Sequence, residues 1–231
     1  MTRVAQALCT FAALMLSDAA KATEPAVPCP AFEVVGQGPD LVLVPGLGSP
    51  PEIWEGVREK LARAYRVHLV HVAGFAGRRP SGDPATLLER AATEILRHFQ
   101  CEKVERAVYA GHSLGGFLGL KLAIDHPERI ARLIVVDSLP FFPLIFDPAA
   151  TPARSASQAE VMRAAILNQD AATFAASQRL GVRSLVRNSA YHDRVVQWSL
   201  DSDRATFGGA VHRLMTTACA LASVRFERQS R

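Results

Sequence analysis

Apolar positions in this chain follow two rhythms that alternate between residues 31 and 137. Leu41–Val44, Val67–Val72, Ala107–Ala110 and Arg132–Asp137 are short, nearly continuous apolar runs. Such runs suit strands buried on both faces. A shorter strand is predicted over Ala31–Val35, ended by the turn signal Gly36-Gln37-Gly38-Pro39. Between the runs the period changes to that of a helix. Trp54, Val57, Leu61, Ala64 and Tyr65 fall on one face, as do Leu87, Leu88, Ala91, Ile95 and Phe99. Ser49 reads as the N-cap of the first of these helices with Pro50 at N1, and Asp83-Pro84 opens the second. A third apolar helix is predicted from Leu114 to His126, stopped by Pro127. Alternating strand and helix predicts an α/β fold with a doubly wound, mostly parallel sheet.

After Leu139 the strand rhythm stops. An apolar, aromatic loop, Pro140-Phe141-Phe142-Pro143-Leu144-Ile145-Phe146, leads into four predicted helices: roughly 157–169, 171–186, 189–200 and 202–217. The last carries Phe207, Ala210, Val211, Leu214 and Met215 on one face. The expected organisation is one domain over 23–231, with a core at 31–140, a helical cap at 141–217 and an aberrant tail at 218–231. Phe141, Phe142 and Phe146 serve either as core or as the floor of an apolar substrate pocket.

The N-terminus differs in kind. Met1-Thr2-Arg3 precedes a mostly apolar run to Leu16, and Ala20-Lys21-Ala22 supplies small residues at an exit site. This is the pattern of a secretory signal peptide, residues 1–22, cleaved after Ala22, so the mature chain is expected to be periplasmic or secreted. The run is too short for a comfortable bilayer span. In an oxidising compartment Cys29–Cys101 is a plausible bridge that leaves Cys219 free, although sequence alone does not fix the pairing. The hydrophobic share of 49% is enough for a real core. The net charge of +4 is spread along the chain, without the basic, aromatic-interleaved stripe that nucleic acid would call for. No C-x-x-C or helical H-x-x-x-H spacing suggests a metal.

The chemistry is concentrated in Gly111-His112-Ser113-Leu114-Gly115-Gly116. A G-x-S-x-G between a strand and a helix forms a tight elbow that lifts the Ser113 hydroxyl above the sheet. Gly111 and Gly115 are the small neighbours that the turn requires. A second glycine loop, Pro45-Gly46-Leu47-Gly48-Ser49, follows an early strand and would present the Leu47 N–H. With the Leu114 N–H it would form an oxyanion hole. His68 and His71 read as packed or rim histidines, and His126 as a helix-terminal residue. His112 is poorly placed as a base because it neighbours the nucleophile on a tight turn. Asp137 ends its strand on the same edge, as a loop-capping carboxylate or a triad acid.

These residues resemble the α/β-hydrolase superfamily, in particular secreted serine hydrolases with a helical cap. The resemblance rests on Val44-Pro45-Gly46-Leu47-Gly48, Ala73-Gly74-Phe75-Ala76-Gly77 and the elbow, and covers about residues 31–217. It implies a cofactor-free hydrolase that cleaves a small, largely apolar carboxylic ester through an acyl-enzyme on Ser113. The alternatives are a non-catalytic binding protein on the same fold, or an acyltransferase or perhydrolase with the same nucleophile. The family order of nucleophile, acid and histidine is not completed: the last strands are missing, and the triad acid and base are unknown. His192 and His212 fall in cap helices and are not expected to serve as the base. Arginine outnumbers lysine 22 to 4, which suggests GC-rich coding and a frameshift near Thr217. The literal chain is expected to be impaired in activity and poor in stability. Its oligomeric state is not legible.

Overall fold

The computed structural model describes residues 28–220 except Ala31. The expected signal segment lies outside the described residues, as do residues 221–231 of the expected tail. Five strands form one sheet in the order β1-β3-β2-β4-β5: β1 (Glu33–Val35), β2 (Asp40–Val44), β3 (Arg66–Leu69), β4 (Ala107–His112) and β5 (Ile130–Val136). β1 runs antiparallel to β3 and every other pairing is parallel. Crossovers are made by α1 (Glu55–Ala62), α2 (Leu87–Cys101) and α3 (Leu114–Asp125).

The period of two within β2 assigns its two faces. Leu41 and Leu43 pack with Val67, Leu69, Trp54, Leu61 and Tyr65 on the α1 side. Val42 and Val44 pack with Leu88, Ile95, Phe99, Phe117 and Leu118 on the α2 and α3 side. Chain order reverses direction on either side of β2: the chain passes from β2 out to β3, then returns across β2 to β4. That reversal opens a crevice between the carboxyl ends of β2 and β4, where ligands bind in open α/β sheets.

Four helices follow: α4 (Pro152–Asn168), α5 (Ala171–Leu185), α6 (His192–Leu200) and α7 (Arg204–Thr216). Thr151, Asp170 and Asp203 cap α4, α5 and α7 by accepting from Arg154 N, Thr173 N and Thr206 N. α7 packs into the main core through Ala210 and Leu214. A disulfide joins Cys29 to Cys101, with Cα atoms 6.1 Å apart, and ties the proline-rich lead-in to the end of α2. Closing a loop of this length removes denatured-state entropy worth about 4 kcal/mol. No described helix is long and apolar enough to cross a membrane.

Several expectations shift. Ser49 is not the cap: the first helical turn starts at Pro51 with Pro50 before it, and the Ser49 hydroxyl donates to Leu47 O instead. Val57, expected on the inward face of α1, is exposed. The third strand stops at Leu69, where its pairing with β2 and β1 ends. α4 starts at Pro152, five residues early, because Thr151-Pro152 is the stronger start signal. β5 is not buried on both faces. Among the described residues it pairs only with β4, and Ile134 and Val136 are 49% and 42% exposed.

His68 and His98 are buried side by side beneath β1. His68 Nε2 lies 2.9 Å from Asp40 Oδ1, and His68 Nδ1 lies 2.8 Å from His98 Nε2. With the Nε2–H of His68 given to the carboxylate, Nδ1 is left to accept from His98. Phe32 packs on the His98 ring. Burial pulls both imidazoles below their ordinary pKa; Asp40 opposes this at His68, and His68 reinforces it at His98.

Two outcomes follow from this arrangement. A depressed histidine binds fewer protons folded than unfolded. Its stabilising share is therefore complete above about pH 6.5 and is lost as pH falls through the lowered folded value. His71 and His112 are shifted the same way by burial. The melting temperature should fall between pH 7.5 and pH 5.5, above the carboxylate range; a flat profile would contradict this assignment. Separately, the apolar side chains that β5 exposes, Ile134 and Val136, should drive association. Ile134→Lys should reduce light scattering on heating without lowering the melting temperature by more than a few degrees.

Candidate active site

The sheet register brings the candidate residues together. Val44 pairs with Gly111, and Gly111 with Val135. The loops that follow β2, β4 and β5 therefore leave the sheet at one level. Ser113 is the residue between β4 and α3, with φ 51° and ψ −119°. A non-glycine residue in that region costs of order 1–3 kcal/mol and needs a surround that enforces it. The Ser113 N–H donates to Val136 O at 2.9 Å, and Phe117 N–H donates back to Ser113 O at 3.0 Å.

The surround is tight. A Cβ on Gly111 would lie 2.2 Å from Gly115 O, and one on Gly115 would lie 2.4 and 2.6 Å from Val44 O and Pro45 O. Tyr109 adds a contact with no sequence signal. Its fully buried hydroxyl donates to Gly115 O at 2.9 Å, which fixes a carbonyl in the first turn of α3.

Gly46 lies against the elbow, with its α-carbon facing the Ser113 Cβ and the His112 ring. Neither the Leu47 N–H nor the Leu114 N–H has a hydrogen-bond acceptor among the described residues. Both expected donors are thus unspent. Leu114 also opens α3, where unpaired amides and the helix dipole favour negative charge.

A cavity of about 400 Å³ opens beside Ser113, lined by Leu114, Asp137, Ser138, Leu139, Phe142, Ile145 and Leu214. Its wall is chiefly apolar. Of the three aromatics considered as pocket floor, only Phe142 lines it; Phe141 is core and Phe146 is exposed. Asp137 accepts no hydrogen bond from the described residues, has φ 50°, and shares the cavity with Ser113. It is therefore not a loop cap here. Ser138, which sequence reading passed over, sits beside it.

No histidine lines this cavity among the described residues. The His112 ring packs against Gly46, and burial lowers its pKa against the pull of Asp137. His192 is held at 2.7 Å by Val186 O and lines a separate cavity with Arg179 and Arg183. His212 lies on α7 near Glu160. His71 is bonded to Phe75 O. No cluster that could hold a metal ion occurs among the described residues. Cys219 is unpaired and half-buried; burial pushes its thiol to about 11, which disfavours the thiolate.

The elbow contacts predict two contrasting variants. Gly115→Ala meets backbone on two sides and should cost about 3 kcal/mol or more. Tyr109→Phe loses one buried hydrogen bond and should cost about 1–2 kcal/mol. Urea unfolding of the two variants checks the order.

Comparison with known proteins agrees with this geometry. The family model described as the alpha/beta hydrolase family matches residues 41–227. The pimeloyl-acyl-carrier protein methyl ester esterase of Aeromonas hydrophila is 41% identical over 110 residues, 48% of this chain and 42% of that protein. The esterase of the same name from Aliivibrio fischeri is 35% identical over 111 residues, 48% of this chain and 41% of that protein. The chain thus matches about two fifths of the length of these relatives. A hydrolase from Pseudomonas aeruginosa superposes with a TM-score of 0.67 at 23% identity, over 81% of this chain and 68% of that one. An enol-lactonase from Burkholderia xenovorans superposes at 0.66 and 17% identity, over 81% of this chain and 70% of the other. With the parallel sheet, the strained serine elbow and a family match across most of its length, this chain belongs to the α/β-hydrolase family.

Proposed function

We propose that the site is that of a serine esterase acting on a small, largely apolar carboxylic ester. The observation that carries this reading is Ser113 itself. It is held in a strained conformation at the mouth of an apolar cavity, next to two backbone amides with no described acceptor. A surround that enforces strain at one hydroxyl-bearing residue calls for a functional explanation.

The chemistry follows from these positions. Ser113 Oγ attacks the ester carbonyl carbon and its proton passes to a base. The carbonyl oxygen becomes an oxyanion that accepts from the Leu47 and Leu114 N–H groups. Collapse expels the alcohol, which takes up a proton, and leaves an acyl group on Ser113. Water then attacks the acyl-enzyme and releases the acid. No cofactor is needed. Leu139, Phe142, Ile145 and Leu214 would hold the acyl chain. The names of the matched esterases suggest a methyl ester as a first substrate to try.

Among the described residues the only titratable side chain lining the cavity is Asp137, the candidate acid on this edge. The Cys29–Cys101 bridge supports an exported, oxidising location, in line with the signal-peptide pattern. A lidded binding protein on the same fold, or acyl transfer to an alcohol or peroxide in place of water, would use the same cavity.

A fluorophosphonate probe and p-nitrophenyl butyrate separate these readings. The chain should be labelled at one residue and should release p-nitrophenol, and Ser113→Ala should abolish both. Labelling that survives Ser113→Ala would remove Ser113 as nucleophile. Ester binding without labelling would favour the binding protein. Ester products formed in the presence of added alcohol would favour transfer.

A further inference from the structure

The turn between α6 and α7, Asp201-Ser202-Asp203, bonds the 74–77 loop and reaches the glycine loop that carries Leu47. Gly77 N–H donates to Asp201 O at 3.0 Å, and Asp203 N–H donates to Gly74 O at 2.8 Å. Ala76 N–H donates to Ser202 Oγ at 2.9 Å. The Ser202 hydroxyl donates to Trp198 O at 2.8 Å, with Gly48 O within reach at 3.5 Å. Ser202 is 8% exposed. A hydroxyl has one proton and two lone pairs, so this side chain can accept from one loop while its proton is shared between its own helix and the other loop.

The turn is itself rigid. The Asp203 carboxylate accepts from Thr206 N at 2.8 Å and from Thr206 Oγ1 at 2.6 Å. Gly48 is pinned from the same side: φ is +64°, and a Cβ there would come 2.7 Å from the Phe207 ring. Its neighbour Leu47 carries the expected oxyanion donor, and Ser49 N–H closes the loop by donating to Gly46 O at 3.2 Å. The position of the Leu47 amide is therefore set from two sides, by the elbow through Gly46 and by the cap through Gly48.

We propose that Ser202 is a positioning residue: it couples the seating of the cap helices to the geometry of the oxyanion loop, and so tunes stabilisation of the tetrahedral intermediate. This rests on the reading of Ser113 as nucleophile and Leu47 as donor. Ser202 does not line the acyl cavity, so its role falls on the chemical step and not on substrate binding.

The test compares the wild-type chain with Ser202→Ala, Ser202→Cys and Ser202→Thr. Cysteine conserves volume while weakening the hydrogen bonds, and threonine restores the hydroxyl. Three quantities are read: kcat and KM on p-nitrophenyl butyrate, the rate of fluorophosphonate labelling, and amide hydrogen exchange of the 45–49 segment. Full loss of an oxyanion donor costs about 10²–10³ in kcat. A donor that is displaced but present should cost about tenfold, with KM within about twofold. Exchange at 45–49 should quicken in the alanine and cysteine variants, and threonine should recover most of both effects.

Unchanged kcat together with unchanged exchange would overturn the proposal, as would a loss that appears in KM or that threonine fails to restore. If wild-type Ser113 is not labelled, the nucleophile reading fails. The coupling is then decided by hydrogen exchange, which reads the loop without any chemistry. If the alanine variant does not fold, the cysteine variant decides.

Discussion

The constraint on which this architecture depends is the close approach of two backbones at Gly115. The carbonyls of Val44 and Pro45 lie where a side chain on that residue would begin. This single contact brings the loop after β2 against the first turn of α3. It also requires the preceding turn to be so sharp that Ser113 takes a conformation that L residues avoid. The Tyr109 hydroxyl and the Val136 carbonyl then secure the two sides of the turn. The strain at Ser113 is sustained because each neighbour is itself fixed by the sheet or by α3.

From this contact the rest of the molecule is ordered outward. The direction of chain crossing places α1 on one sheet face and α2 with α3 on the other, so β2 and β4 are buried on both sides. Their carboxyl ends share one level, and the two glycine loops meet there. The cap helices do more than roof the crevice. α7 contributes Ala210 and Leu214 to the main core, and the turn before it is bonded to the 74–77 loop and reaches Gly48. Core, elbow and cap thus form one continuous packing system, in which a displacement of α6 and α7 would be felt at Leu47.

The sheet also explains why the site is uneven. On the β2 side the oxyanion loop is buried and braced. On the β5 side the strand pairs only with β4 among the described residues, its apolar side chains are partly in water, and Asp137 stands in the cavity without a hydrogen-bond partner among the described residues. The Leu47 and Leu114 amides have no described acceptor, and no histidine among the described residues lines the cavity beside Ser113.

Apolar rhythm and turn signals were enough to locate all five strands to within a few residues, the three crossover helices and the four cap helices, because each element carries its own local pattern. The elbow was legible for a similar reason: glycines flanking a serine between a strand and a helix state a local steric requirement. The unusual partners were not legible. Nothing near Tyr109 announces that its hydroxyl will meet Gly115 O, and Ser202 lies more than 120 residues from the Ala76 amide it accepts from. The same holds for the exposure of β5, whose composition suits a buried strand, and for the aromatics after Leu139, of which one lines the cavity, one joins the core and one meets solvent. The sequence alone determined the elements, the serine elbow and the two glycine loops, since these depend on residues adjacent in the chain. Only the tertiary structure decided which side chains meet across the crevice, because a hydrogen bond between distant residues is set by the order of the strands and not by any local pattern.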